Sequence, residues 1–285
     1  MSSVDIAIDA GDTLGEGPVW EPGVGLWWLD ILRRRLHSLD MEGRWQTREL
    51  DETPGSLALA GDGRMLLALR TGLALYDVET ETTKPLAAIE EDLPDNRLND
   101  GKTDPEGRFW VGSMADDGRD RAGSLYRFEG VVTRVLSDVG IPNSLAWSPD
   151  GRTMYFADSV AGAIFAFPYD LDTGQIGDRR VFAEVGQPSA PDGSTVDVDG
   201  CLWNAEYGGG RLVRYTPDGT VDRMVDVPAT NPTCPTFGGS DLDVLYVTTA
   251  RAGSEGDPHA PEPEAGALLA IDADVSGLPA VPAIV

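Results

Sequence analysis

Three chemically versatile residue types are nearly missing from this 285-residue chain: it has two cysteines (Cys201, Cys234), two histidines (His37, His259) and two lysines (Lys84, Lys102). The two cysteines form no disulfide framework and lack metal-site spacing, so both are expected as buried, reduced thiols. With two histidines a multi-histidine zinc site has no ligands to draw on, and a Ser-His-Asp triad is disfavoured for the same reason. His37 lies in the strand-like Arg35-Leu36-His37-Ser38-Leu39 and reads as structural; His259 lies in the Pro-rich Asp257-Pro258-His259-Ala260-Pro261. No apolar run approaches the length of a membrane span. Met1 to Gly11 lacks the basic region and apolar stretch of a signal peptide, so a soluble cytoplasmic protein is expected.

Positive charge is scarce as well. Forty-eight acidic side chains face 22 basic ones, nearly all Arg, for a net charge of −26. Nucleic acid and anionic membranes both require a basic footprint, so neither is an expected partner. Such acidity serves either plain solubility or life in a salt-rich, halophilic cytoplasm. Few lysines favour the second. Repulsion between exposed carboxylates reaches about 10 Å at 0.1 M salt and about 3 Å at 1 M. The melting temperature is therefore expected to rise markedly from 0.1 to 2 M KCl, with divalent cation in excess throughout. A flat profile would leave solubility as the sole role of the charge.

Glycine (34) and proline (20) are plentiful and scattered, as in chains of many short strands joined by turns. One unit recurs: a strand, a tight turn carrying Gly or Asp, then a second strand rich in aromatics. Its copies are Gly17–Asp30, Leu57–Ala68, Lys102–Gly112, Leu145–Ala157, Thr195–Asn204 and Phe237–Val247, the last with Asp243 where the others have Gly. A third strand follows each, usually opened by Gly: Arg35–Leu39, Gly72–Tyr76, Gly123–Phe128, Gly162–Phe167, Gly210–Tyr215 and Gly266–Ile271. Period-2 alternation dominates, and no segment holds a helical period. Six such units, roughly 40–50 residues apart, predict an all-β, six-bladed β-propeller with residues 1–285 as one domain.

In a propeller the innermost strands line a central channel, so equivalent positions converge near its axis. Counting eight or nine residues back from each turn's last marker gives Glu16, Gly55, Asn99, Asn143, Asp192 and Pro235. Four of the six carry a carboxylate or amide; Gly55 and Pro235 are compact and are expected to leave room for a ligand. Asn and Asp often cap strand starts, but four in register form a ring of oxygen donors without histidine, which suits a hard cation.

These residues also carry a family resemblance. Leu14-Gly15-Glu16-Gly17-Pro18-Val19-Trp20, the long run Arg97–Met114, Ile141–Ser148, Pro191-Asp192-Gly193 and Phe237-Gly238-Gly239 resemble, in order, the signatures of the gluconolactonase/regucalcin (SMP-30) family. The resemblance runs from about Leu14 to Arg251 and is somewhat closer to bacterial sugar lactonases of pentose and hexose oxidation than to animal regucalcin. It implies a six-bladed propeller, one divalent cation (Ca²⁺, Mg²⁺, Mn²⁺, Zn²⁺ or Fe²⁺) and hydrolysis of a sugar lactone. Carried over by motif, Glu16, Asn143 and Asp192 resemble the metal ligands, and Asp192 also the acid/base. Arg97 and Asn99 resemble substrate-hydroxyl contacts, and of Asp116-Asp117, Asp117 is favoured for a further acidic contact. Asp100 is expected to fix the loop or the metal's surroundings. The small-molecule lactone is the expected partner, and the protein is expected as a monomer or weak homo-oligomer. The alternatives are a calcium-dependent phosphotriesterase or a broad arylesterase on the same scaffold, the type with a channel histidine being disfavoured by motifs without histidine, and a non-enzymatic calcium-binding propeller, which needs no donors in register.

Overall fold

The structure, a computed structural model, describes residues 3–118, 121–251 and 262–285; His259 lies outside them. Six antiparallel sheets follow one another along the chain as the blades of a β-propeller. Blade one spans 15–49, blade two 54–88, blade three 96–139, blade four 142–184, blade five 190–226 and blade six 232–272. Among the described residues the only helical element is a 3₁₀ turn, Ser159–Ala161, and no helix is long and apolar enough to cross a membrane. The repeat reading is borne out, with a fourth, outermost strand added to each blade. In blade six that strand comes from the other end of the chain: Val4–Ile8 pairs with Leu268–Asp272. Hydrogen bonds between the two ends thus close the ring.

Burial falls off from the axis outward. The second strand of blade one, Gly25–Asp30, and that of blade three, Phe109–Ala115, are buried throughout, whereas the outermost strand of blade two, Thr82–Ala88, is almost wholly exposed. Inner strands are covered on both faces, so they read as near-continuous apolar runs rather than strict alternation. Each gap between neighbouring blades holds its own core. Trp27, Leu29 and Leu36 of blade one meet Leu57, Leu59 and Leu67 of blade two; Trp110 and Leu125 of blade three meet Trp147 and Met154 of blade four. Trp28, Trp110 and Trp203 are fully buried. Burying one such side chain contributes about 1.5–3 kcal/mol, and no blade alone could cover both its faces.

The repeated Asp-x-x-Gly turn has a physical reason. Asp197 is fully buried, and its carboxylate accepts from the backbone N–H of Asp199 and Cys201, from Trp203 Nε1 (2.9 Å) and from Arg214 Nε (2.8 Å). Asp104 does the same with Glu106 N, Arg108 N and Trp110 Nε1. The motif ties the turn to the indole six residues on, and Gly107 and Gly200 supply the positive φ (83° in both) that closes it.

These turns ring one mouth of the channel. The C-terminal segment crosses it: Gly277 bridges to Asp197, Ala283 N donates to Leu59 O (2.7 Å) and Ile284 N to Gly107 O (2.9 Å). Above the tail lies a cavity of about 230 Å³ lined by Trp147, Phe237, Lys102, Asp100, Cys234 and Leu278 among others. The opposite mouth, formed by the N-terminal ends of the inner strands, holds the oxygen donors.

Both cysteines are buried and free. His37 is 1% exposed, with Nε2 3.1 Å from Asp12 Oδ1 and Nδ1 2.8 Å from Thr47 Oγ1, a structural role.

Candidate active site

All six inner strands carry a bulge at the same level, and the pairing on either side of it fixes which positions are equivalent. Four residues separate Gly15 (opposite Asp30) from Val19 (opposite Trp27), and the same spacing recurs in every blade. Glu16, Gly55, Asn99, Asn143 and Asp192 do occupy one level. The sixth member is Thr233, not Pro235: the turn that begins at Gly238 is two residues longer than in blades one, two, three and five and one longer than in blade four, so counting back from Asp243 stops short. Thr233 is buried and donates to Gly15 O (2.6 Å), so its hydroxyl is engaged with the neighbouring blade. Gly55 serves packing rather than ligand space. A Cβ there would stand 2.3 Å from Leu98 O of blade three.

Asp192, Asn143, Asn99, Arg97 and Asp100 are all buried, and Glu16 is partly exposed at the mouth. The carboxyls of Glu16 and Asp192 lie close enough at the channel mouth to interact directly. Burial of its carboxyl, then repulsion from Asp100, pushes Glu16 up to about 8. Burial, then repulsion from Glu16 and Asp100, raises Asp192 well above the carboxylate range. Asp100, one position deeper, is raised by burial and eased by Lys102; its Oδ2 accepts from Leu145 N (3.1 Å), the positioning role expected of it. Tyr207 also faces the pair, and burial together with Asp192 and Glu16 pushes its phenol up to about 12.

Around this pair runs a belt of polar contacts across blades two to five. Arg70 Nη2 bonds Asp116 Oδ2, and Asp116 Oδ1 lies 3.3 Å from Arg97 Nε. Arg97 Nη1 donates to Asn99 Oδ1 (2.8 Å), and Asn99 Nδ2 donates to Pro142 O (3.0 Å) and Asn143 Oδ1 (3.2 Å). Asn143 Nδ2 donates to Ser159 Oγ (2.9 Å), and Ser159 donates to Pro191 O (2.6 Å), beside Asp192. Arg97, Asn99, Asn143 and Asp192 are thus brought together. The acid on Arg97 is Asp116, with the exposed Asp117 next along the loop. Arg70, Asp116, Ser159 and Tyr207 were not singled out from sequence. Only Asp116, inside the Asp-Asp pair, carried a local signal.

The donors present, two carboxylates and an amide, are all oxygen, and two buried carboxyls side by side repel each other when ionised. A hard divalent cation relieves that repulsion, so the residues fit such a group. The pair also makes stability depend on pH. In the cation-free protein the folded carboxyls hold protons that the unfolded chain, with Glu near 4.5, has already released. The pair's stabilisation is therefore complete below about pH 4 and is lost as pH rises toward 8. Chelator-treated protein should show a melting temperature that falls between pH 5 and pH 8, and excess Ca²⁺ should remove the fall. A flat profile without cation would contradict the juxtaposition.

A six-bladed propeller with paired carboxylates and amides at one channel mouth defines a scaffold with an axial acidic site. Residues 14–251 match the model of the SMP-30/Gluconolactonase/LRE-like region, and the chain belongs to that family. It is 38% identical to an L-arabinolactonase of Azospirillum brasilense over 280 residues, covering 95% of this chain and 92% of that one. It is 36% identical to a pentonolactonase of Haloferax volcanii over 288 residues, with 97% of each covered. Among solved structures, a calcium-binding protein, regucalcin, from Agrobacterium tumefaciens superposes with a TM-score of 0.95 at 36% identity, covering 100% of this chain and 98% of that one.

Proposed function

We propose that this protein is a cation-dependent sugar lactone hydrolase that opens pentono- or hexonolactones to the aldonic acids. The observation that carries the reading is the Glu16–Asp192 pair, held with Asn143 at one mouth of the channel in a chain whose relatives are named as lactonases. Glu16, Asn143 and Asp192 would hold the cation, which when bound supplies Lewis-acid polarisation of the lactone carbonyl. Asp192 takes a proton from the attacking water and returns it to the ring oxygen as the carbonyl C–O bond breaks, leaving a carboxylic acid and a hydroxyl. Ligation lowers the basicity of a carboxylate, and burial beside Glu16 moves it the other way. Arg97, Asn99 and Asp117 would bind the sugar hydroxyls; Asp116 and Asn99 already fix the guanidinium of Arg97. Only a cytoplasmic, small-molecule role is proposed, with no nucleic-acid or membrane partner.

The test is a panel of pentono- and hexonolactones against a simple phosphotriester, assayed with cation present. Turnover of one or more lactones without phosphotriester cleavage is expected. Cleavage of the phosphotriester alone would replace this reading with that of a propeller phosphotriesterase.

A further inference from the structure

Both amides at the mouth have their orientation set by their hydrogen-bond partners. Asn99 Nδ2 faces the carbonyl of Pro142, which cannot donate, and Asn99 Oδ1 faces Arg97, which cannot accept. Asn143 is set less directly. Its Nδ2 lies 2.9 Å from Ser159 Oγ, and a hydroxyl facing an amide can serve as donor or acceptor. Ser159 has one proton, however, and that proton is committed to Pro191 O at 2.6 Å. Toward Asn143 the hydroxyl therefore accepts, and the amide nitrogen is held there. Asn143 Oδ1 is left on the ring side, where it takes one hydrogen bond from Asn99 Nδ2 at 3.2 Å and keeps a second lone pair.

We infer that Ser159 is a positioning residue for cation binding: its hydroxyl holds the Asn143 amide in the flip that turns oxygen, not nitrogen, toward the ring. The inference rests on the proposed cation site and not on the reaction carried out there. The physical need follows from the neighbours. Glu16 and Asp192 stand at the same level as Asn143, and in either protonation state their carboxyl oxygens can accept from an amide N–H. Without the hydroxyl, the flip that presents NH₂ to the carboxyls competes, opposed by the long Asn99 contact. A cation would then have to reverse that flip in order to bind. Ser159 removes this cost in advance and, through Pro191 O, ties the Asn143 strand to the residue before Asp192. It stands on the 3₁₀ turn that follows the second strand of blade four, outside the inner strands, which is why equivalent-position counting does not reach it.

The test is calorimetric titration of the chelator-stripped, full-length protein with Ca²⁺ in the absence of any substrate. Ser159→Ala is expected to weaken Ca²⁺ binding about 10–100-fold, the usual effect of losing a group that orients a metal ligand. Ser159→Thr keeps the hydroxyl and should bind like the native protein. The discriminating arm uses Asn143→Asp, whose two side-chain oxygens need no orienting. In that background Ser159→Ala should cost less than about threefold, by the same principle. Equal losses in the Asn and Asp backgrounds would make Ser159 a mere support for the strand and overturn the inference. So would unchanged affinity in Ser159→Ala, a threonine variant as weak as alanine, or a native protein that binds no Ca²⁺. Substrate is absent throughout. A protein that binds Ca²⁺ in this Ser159-dependent way yet opens no lactone keeps the inference and loses the proposed function.

Discussion

Asp192→Asn is expected to lower lactone turnover by a factor on the order of 10²–10⁴, the scale of losing a general base, while leaving the fold intact. The substitution is isosteric. The contacts that seat this strand are made by the backbone: Asp192 O accepts from Ser144 Oγ and from Asn204 Nδ2 (3.0 Å), and neither involves the carboxylate. What changes is charge. The site loses one of its two anionic donors for the cation and the group that moves the proton, so kcat falls and cation affinity falls with it. Without cation the variant should be no less stable than the native protein near pH 8, because the repulsion between Glu16 and Asp192 has gone. Steady-state kinetics at saturating cation, with melting curves, read both effects. A folded, cation-loaded variant that keeps more than about a tenth of native kcat would remove Asp192 from the chemistry.

The largest effect on stability is expected far from that site. Asp197→Ala should cost about 3–5 kcal/mol, because one buried carboxylate satisfies two backbone N–H groups, the Trp203 indole and Arg214 together. Arg214 itself is buried, and burial works against its charge. The carboxylates of Asp197 and Asp222 hold it ionised. Deleting Asp197 strips the inner partner and leaves an N–H of a fully buried Trp without an acceptor. At about 2–4 °C per kcal/mol for a chain of this size class, the melting temperature should fall on the order of 10 °C. Asp199→Ala is the control. Its carboxylate also touches Arg214 (3.0 Å) but is exposed, and an exposed pair is worth about 0–1 kcal/mol. Similar losses in the two variants would show that the turn motif is not what Asp197 supports.

The blades were legible because the cause of the repeat is local. An Asp or Ser at the end of one strand, a Gly three residues on and an aromatic in the next strand form one hydrogen-bonded unit, as at Asp104–Trp110 and Asp197–Trp203. The outermost strand of blade six was not legible. Val4–Ile8 has no partner until the chain has gone round the ring to Leu268. The ring of site positions was found for five blades, since in each the marker Gly falls eight or nine residues after the site position. It failed in the sixth, where the longer turn after Gly238 displaced the count from Thr233 to Pro235. Gly55 was misread because sequence shows that a side chain is missing but not what would collide with it. Arg70, Ser159 and Tyr207 reach the mouth from the ends of second strands and the turns that follow, and only the closed ring brings them to it.

If a cation held by Glu16, Asn143 and Asp192 helps one mouth of this propeller to open a lactone ring, proton release from pentono- and hexonolactones should depend on that cation. The dependence is read with protein stripped of metal and then reconstituted with single divalent cations. The stripped protein should release protons no faster than the uncatalysed background, and at least one of Ca²⁺, Mg²⁺ or Mn²⁺ should restore turnover saturably. Lactone hydrolysis at full rate by the stripped protein, or none with any cation across the panel, would contradict this role of the site.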